Sequence, residues 1–342
     1  MATSARAMPS TPASAVKTAR TQCWQVMPSM RTRVIMRERY SSSNLTGMKT
    51  AFLGLGAIGR PMATRVAMAK IPLTVWNRTA TRAAEFAEKT GASQAATPAE
   101  AVRGAEVVIA CLPTSHDVYA LLDGPDGILA GIERGAAFVD CTSGDPATSR
   151  RIAARLAEKG VSFIDAPVSG GVVGAEKGAL TIMVGGDAAV LDRVRPVLES
   201  FGQKIVHCGE IGAGDAVKAV NNAFLATHIL AAAEGLAALV KMGVSPNVAL
   251  DVINASSGRS NTSMNLFPER VLTRAFPRTF RLALLEKDVG IAAEVARETR
   301  VPAPILQLTA DLFRIARGEL GEVADHVEIV KIIEQWAGTE IA

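Results

Sequence analysis

The six residues Gly54-Leu55-Gly56-Ala57-Ile58-Gly59 constrain this chain more than any other feature. They follow a short apolar run at 50–53 and open a helix-compatible stretch at about 58–70. Three glycines in a G-x-G-x-x-G pattern mean little alone and a great deal between a strand and a helix. Gly54 permits the tight turn, Gly56 lets the backbone approach a pyrophosphate, and Gly59 lets the helix pack on its strand. The new helix then turns its unsatisfied N–H groups and positive dipole end toward that pyrophosphate. The chain is therefore expected to bind a dinucleotide with residues 54–59.

The rest of the pattern extends this unit. Further strands are expected at 73–76, 107–111, 136–140, 161–164, 181–184 and 205–207, and helices at 80–90, 97–103 and 146–159. Solid apolar strands alternating with helices predict a parallel sheet covered on both faces. After Gly214 the pattern changes to helices alone, at 215–242, 246–254, 282–299 and 305–318. The reading divides the body into a dinucleotide-binding domain at 48–210 and an all-helical domain at 211–338. A chain of 342 residues suits two such domains.

The formal charge of +4 misleads, because the first 47 residues hold seven basic groups against one acid, Glu38, and the remainder is mildly acidic. The body thus carries no argument for nucleic-acid binding. Residues 1–47, rich in Arg, Ser and Ala and poor in acids, match a mitochondrial transit peptide in composition. An alternative is translated upstream sequence before a true start at Met48, and a third is a basic arm for anionic surfaces. The segment is expected to be disordered and to lie outside the fold, with a cytoplasmic protein on the second reading and a mitochondrial-matrix protein on the first. No uninterrupted apolar run is long enough to cross a bilayer. The cysteines (Cys23, Cys111, Cys141, Cys208) and histidines (His116, His207, His228, His326) show no metal-ligand spacing, so no metal is expected.

Four further motifs bear on chemistry. Asn77-Arg78-Thr79 ends the second strand, where an acid would bind both ribose hydroxyls and repel a 2′-phosphate. Asn77 removes that repulsion and Arg78 offers a cation, so NADP is expected over NAD. In Asp165-Ala166-Pro167-Val168-Ser169-Gly170-Gly171 the glycines make a loop whose exposed N–H groups suit a small carboxylate. Lys218 and Asn222 share one helix face at a spacing of four, in Ala-rich surroundings that would lower the lysine's pKa into a useful range. Spacing alone also permits an ordinary solvent-exposed lysine. Lys287-Asp288 reads, on spacing alone, as a surface charge pair.

Taken together these residues resemble the β-hydroxyacid dehydrogenases, over about residues 49–338. Residues 52–56 with Gly59, Met62 and Ala63 are similar to the family's cofactor signature. The resemblance implies a Rossmann-type α/β domain followed by an all-α C-terminal domain, with Leu55, Ala57, Ile58, Leu112, Pro113, Asp117 and Thr79 beside the cofactor. Asp140-Cys141-Thr142-Ser143 with Pro146 resembles the family's Asp-x-Ser-Thr-x-x-Pro segment with its hydroxyl residues exchanged. That places Thr142 at the substrate carboxylate and Ser143 at the cofactor. Ser169, Gly170 and Gly171 match the substrate clamp, Lys218 the catalytic lysine, Asn222 the substrate-positioning asparagine, and Lys287 a lysine that closes over the cofactor.

The implied activity is interconversion of a small β-hydroxy acid and its semialdehyde, first of the 3-hydroxyisobutyrate type. Threonate or another sugar acid, or reduction of tartronate semialdehyde, succinate semialdehyde or glyoxylate, is the alternative. From another class, the alternative is a non-catalytic NADPH-binding module, which an intact Lys218 disfavours, as it does an imine reductase. The long apolar helix at 215–242 predicts a homodimer or homotetramer.

Overall fold

The computed structural model describes residues 47–342, so the readings made for residues 1–46 lie outside the described residues. Its first strand, β1 (Thr50–Leu53), is entirely buried and pairs in parallel with β2 (Leu73–Trp76) on one side and β4 (Val107–Ala110) on the other. Strand β3 (Ser93–Gln94) extends the edge beyond β2, and β5 (Ala137–Asp140) and β6 (Ser162–Asp165) continue in parallel beyond β4. The helices between them are α1 (Gly59–Met68), α2 (Ala80–Thr90), α3 (Pro98–Val102), α4 (Ser115–Ala120), α5 (Ile128–Gly131) and α6 (Pro146–Ala157). Apolar side chains from alternate positions of each strand fill two separate cores, one on each face. Burial on both faces explains the unbroken apolar runs.

The sheet is not parallel throughout. Strand β7 (Val168–Ser169) and the end of β6 both pair antiparallel with β8 (Leu180–Gly186), and β9 (Gly202–Gly209) pairs in parallel with β8. The expected all-parallel sheet is corrected here for a topological reason. The helix joining β7 to β8, α7 (Gly171–Lys177), has seven residues. A crossover of that length is too short to return the chain for parallel pairing. Helix α8 (Ala188–Leu198), which the Pro196 in its last turn hides from a pattern search, makes the longer crossover to β9.

Beyond the sheet lie α9 (Ala213–Lys241), α10 (Pro246–Asn254), a wide π-type helix at Thr262–Val271, α11 (Leu282–Glu298), α12 (Pro304–Leu320) and α13 (Ile329–Ala337). Helix α9 has 29 residues and is long and apolar enough on average to cross a bilayer, although polar residues such as Asn222, His228 and Glu234 interrupt its apolar run. In the fold it is the central helix, and Ala219, Ala223, Ala226, Ile229, Ala233 and Leu236 meet the buried faces of α11, α12 and α13. Its run of alanines lets those helices approach closely.

The start of α9 is held by the sheet. Its N-cap, Gly212, has no side chain and a φ of 92°. The Asp165 carboxylate at the end of β6 accepts instead from the N–H groups of Gly212 (2.7 Å) and Asp215 (2.9 Å). Orphan N–H groups of a helix start are thus met by a residue distant in sequence. A Cβ at Gly214 would lie 2.3 Å from the Met183 carbonyl, so this packing requires glycine there.

Candidate active site

The glycine turn has the shape its sequence predicts. Gly54 takes a φ of 102°, and a Cβ there would lie 2.4 Å from the Cys111 carbonyl. A Cβ at Gly59 would lie 2.1 Å from the Gly54 carbonyl. Gly56 differs, because it is exposed and a Cβ would meet nothing within 4 Å. The protein's own packing therefore gives no reason for glycine at 56, whereas a backbone cradle for pyrophosphate does. No side chain caps α1, whose N-cap is Ile58, so its N-terminal dipole end is open to an anion beside exposed Gly56 and Ala57.

Asn77 holds this turn in place. Its Oδ1 accepts from the Leu55 N–H at 2.9 Å and its Nδ2 donates to the Thr79 carbonyl at 3.1 Å. Arg78 and Thr79 are exposed next to it. Leu112 and Asp117 are half-buried and Pro113 is exposed at the end of β4. The Thr114 hydroxyl donates to Asp117 Oδ2 at 2.6 Å.

Thr142 and the Gly170-Gly171 turn, expected beside the substrate, have different surroundings. Thr142 is 1% exposed, sealed beneath the surface. Its Oγ1 accepts the Leu112 N–H at 3.1 Å, and its own N–H donates to Asp140 Oδ1 at 3.0 Å. The buried N–H of Leu112 needs an acceptor, and Thr142 supplies it. Thr142 thus braces the ends of β4 and β5. The Gly170-Gly171 segment is a tight turn. Both glycines are exposed, with φ of 134° and 64°, and they turn the chain from β7 directly into α7.

The helical region supplies the charged side chains. Lys218 on α9 is 9% exposed. Burial pushes its pKa below the usual lysine value, nearby Asp288 partly restores it, and Lys287 lowers it again. One turn on, Asn222 Nδ2 donates to Asp288 Oδ2 at 2.6 Å. The other oxygen of Asp288 pairs with Lys287 Nζ at 2.8 Å, and that ammonium also donates to the carbonyl of Ser143 on the sheet side. Lys218, Asn222, Lys287 and Ser143 are therefore brought together at the join of sheet and helices.

Asp288 is the residue that sequence reasoning missed. Read as half of a surface pair, it is 2% exposed and holds Asn222 and Lys287 at once. The sequence does carry a signal, since apolar Leu285 and Ala292 stand at helical spacing from it, and both prove buried in the fold. Among the described residues no cluster of His, Cys, Asp and Glu is arranged to hold a metal ion.

Comparison with known proteins agrees with this geometry. A family model for the NAD-binding domain of 6-phosphogluconate dehydrogenase matches residues 49–209. A second, described as NAD-binding of NADP-dependent 3-hydroxyisobutyrate dehydrogenase, matches residues 212–333. The 2-(hydroxymethyl)glutarate dehydrogenase of Eubacterium barkeri is 36% identical over 295 residues, covering 86% of this chain and 98% of that one. The chain belongs to the β-hydroxyacid dehydrogenase family. A 3-hydroxyisobutyrate dehydrogenase of Pseudomonas aeruginosa is 37% identical over 78% of this chain and 91% of its own. The solved Mycobacterium tuberculosis 3-hydroxyisobutyrate dehydrogenase with L-serine superposes with a TM-score of 0.77 at 32% identity, over 84% of this chain and 99% of that one. The protein is thus an NAD(P)-dependent oxidoreductase of the family that acts on CH–OH groups. The open cradle at Gly56 and α1 fits a nicotinamide dinucleotide.

Proposed function

We propose that this enzyme oxidises the primary alcohol of a small 2-substituted 3-hydroxypropanoate to the semialdehyde, and catalyses the reverse reduction. The observation that carries the reading is Lys218, a buried lysine of lowered pKa, one helical turn from Asn222. The dinucleotide, when bound, supplies the nicotinamide that accepts the hydride. Neutral Lys218 takes the hydroxyl proton, and as an ammonium it stabilises alkoxide charge and returns the proton in reduction. Asn222, oriented by Asp288, positions the reacting hydroxyl. Ser169 and the exposed Gly170-Gly171 turn hold the carboxylate, and Lys287 latches the helical region to the Ser143 loop over the cofactor.

The substrate class rests on the relatives. 3-Hydroxyisobutyrate, 2-(hydroxymethyl)glutarate and L-serine all contain HO–CH2–CH(R)–CO2⁻ and differ only in R. Exposed Arg78, with Asn77 where an acid would repel phosphate, supports NADP over NAD. The exposed apolar side chains of Val217 and Phe224 on α9 support a homodimer or homotetramer.

The test is reduced-nicotinamide absorbance with the full-length protein, NADP or NAD, and those three acids plus threonate. Turnover of at least one 2-substituted 3-hydroxypropanoate, faster with NADP, is expected. Turnover of threonate alone would reject the substrate class.

A further inference from the structure

The chemistry proposed for Lys218 leaves one buried acid on the same helix unused. Asp215 lies one turn before Lys218 and is 1% exposed. Its Oδ1 accepts from the Gly144 N–H at 3.2 Å, and its Oδ2 lies 2.6 Å from the Ser149 hydroxyl on α6. We propose that Asp215 is a positioning residue that pins the Ser143–Gly144 loop to the helix bearing Lys218 and Asn222. The proposal rests on the reading of Lys218 as proton carrier.

Three features give the pin its stiffness. The Asp215 side chain is short, and its own N–H is tied to Asp165 Oδ2, so the carboxyl has little freedom. The loop sits flush against it, since a Cβ at Gly144 would come within 3.3 Å of Asp215 Oδ2 and 3.1 Å of Ser115 Cβ. The neighbouring residue, Ser143, gives its carbonyl to Lys287 of α11. The loop is therefore held from α9 by Asp215 and from α11 by Lys287.

Asp165 and Asp140 face Asp215, and among the described residues no cation pairs with its carboxyl. Burial and those two acids push Asp215 well above the usual carboxylate range. Both carboxyl oxygens accept, Oδ1 from the Gly144 N–H and Oδ2 from the Ser149 hydroxyl. The carboxamide of asparagine has the same shape, accepts from Gly144 through Oδ1 and can donate through Nδ2 to the Ser149 oxygen.

Steady-state kinetics, thermal melting and NADPH affinity of full-length D215N, D215A and S149A test the pin. D215N is expected within about threefold of wild type in kcat, because its hydrogen bonds survive. D215A is expected to lose about 100-fold in kcat while KM and NADPH affinity move far less, the signature of misplaced reacting groups. If D215A does not fold, S149A decides, with an expected loss of about tenfold in kcat at an unchanged melting temperature. Folded D215A with near-wild-type kcat, D215N as impaired as D215A, or wild-type kcat in S149A would each overturn the proposal. An inactive K218A beside a fully active D215A sinks the pin alone, whereas a fully active K218A sinks the reading beneath it.

Discussion

The acids buried at the carboxyl ends of β5 and β6 and those buried among the helices make an instructive pair. Asp140, Asp165 and Asp325 are all within 2% of complete burial. Burial drives Asp140 up to about 7, its hydrogen bonds from Thr142 and the distant charge of Lys287 only partly offsetting this and Asp165 adding to it. Asp165 is also raised by burial, against the opposing N–H groups of Gly212 and Asp215. Asp325 is less deeply enclosed and still pushed up by desolvation, but His326 at 3.0 Å and the N–H groups of Phe280 and Thr279 outweigh it and hold it far below its usual value. Groups almost without solvent contact thus shift in opposite directions, and depth of burial and partner together decide. The same division runs through the site. The sheet contributes backbone, in glycine turns and open N–H groups, whereas the helices contribute paired, charged side chains.

Breaking that division tests it most severely at Lys218. K218A is expected to lower kcat by about 10²- to 10⁴-fold, the usual worth of a general acid–base group, and to leave NADPH affinity nearly unchanged. Stopped-flow turnover and a fluorescence titration would separate the two. A matching loss of both would show that the lysine serves the fold or the cofactor and not the chemistry.

The sheet side should respond in the reverse sense. G56A has room within the protein, so its melting temperature should hold while NADP affinity falls by about tenfold or more, roughly 1.4 kcal/mol or above. G59A drives a methyl into the Gly54 carbonyl, and should lower stability by roughly 1–3 kcal/mol as well. Equal melting temperatures for the two would contradict the packing described for the turn.

The two classes of acid separate by pH. Asp140, raised to about 7, binds a proton in the fold that the unfolded chain has already lost. Its contribution to stability is full below about pH 4 and is lost as pH rises through about 7. Asp325, lowered in the fold, contributes above about pH 4 and loses that contribution as pH falls toward its folded value. Urea unfolding between pH 3 and 8 should show D140N with a shallower fall toward alkaline pH, and D325N with a weaker dependence on acid. One proton's difference is worth up to about 1.4 kcal/mol per pH unit.

The smallest effect is expected at the rim. R78A should weaken NADP by about 1–2 kcal/mol and leave NAD within about twofold, since one charge-assisted contact to phosphate is removed. An equal loss for both cofactors would move Arg78 from the 2′-phosphate to the adenine or to the turn itself.

Much of this molecule is legible in its amino-acid order. Strands β1 and β2 and helices α2 and α10 match their expected ranges to the residue, because apolar periodicity and flanking turn residues are local signals. The π-type helix at Thr262–Val271 and the short helices α4, α5 and α7 are not among the expected elements. Few turns give little periodicity, and a wide helix breaks the 3.6-residue repeat. Helix α13 is also missing from them, although Ile329, Val330, Ile332 and Ile333 all turn inward, a pattern the sequence does display.

By itself the sequence determined the dinucleotide turn, the main strands and the longest helices, and the pairing of Lys218 with Asn222 on one helix face. Each depends on neighbours within a few positions, where backbone sterics and helical spacing act directly. Only the tertiary structure decided that Asp288 is buried beneath Asn222, that Thr142 faces inward, and that Asp165 and Asp215 join the sheet to α9. Those contacts link residues 30 to 71 positions apart. Their existence and their charge states depend on which surfaces exclude water when the chain packs, and no local pattern carries that information.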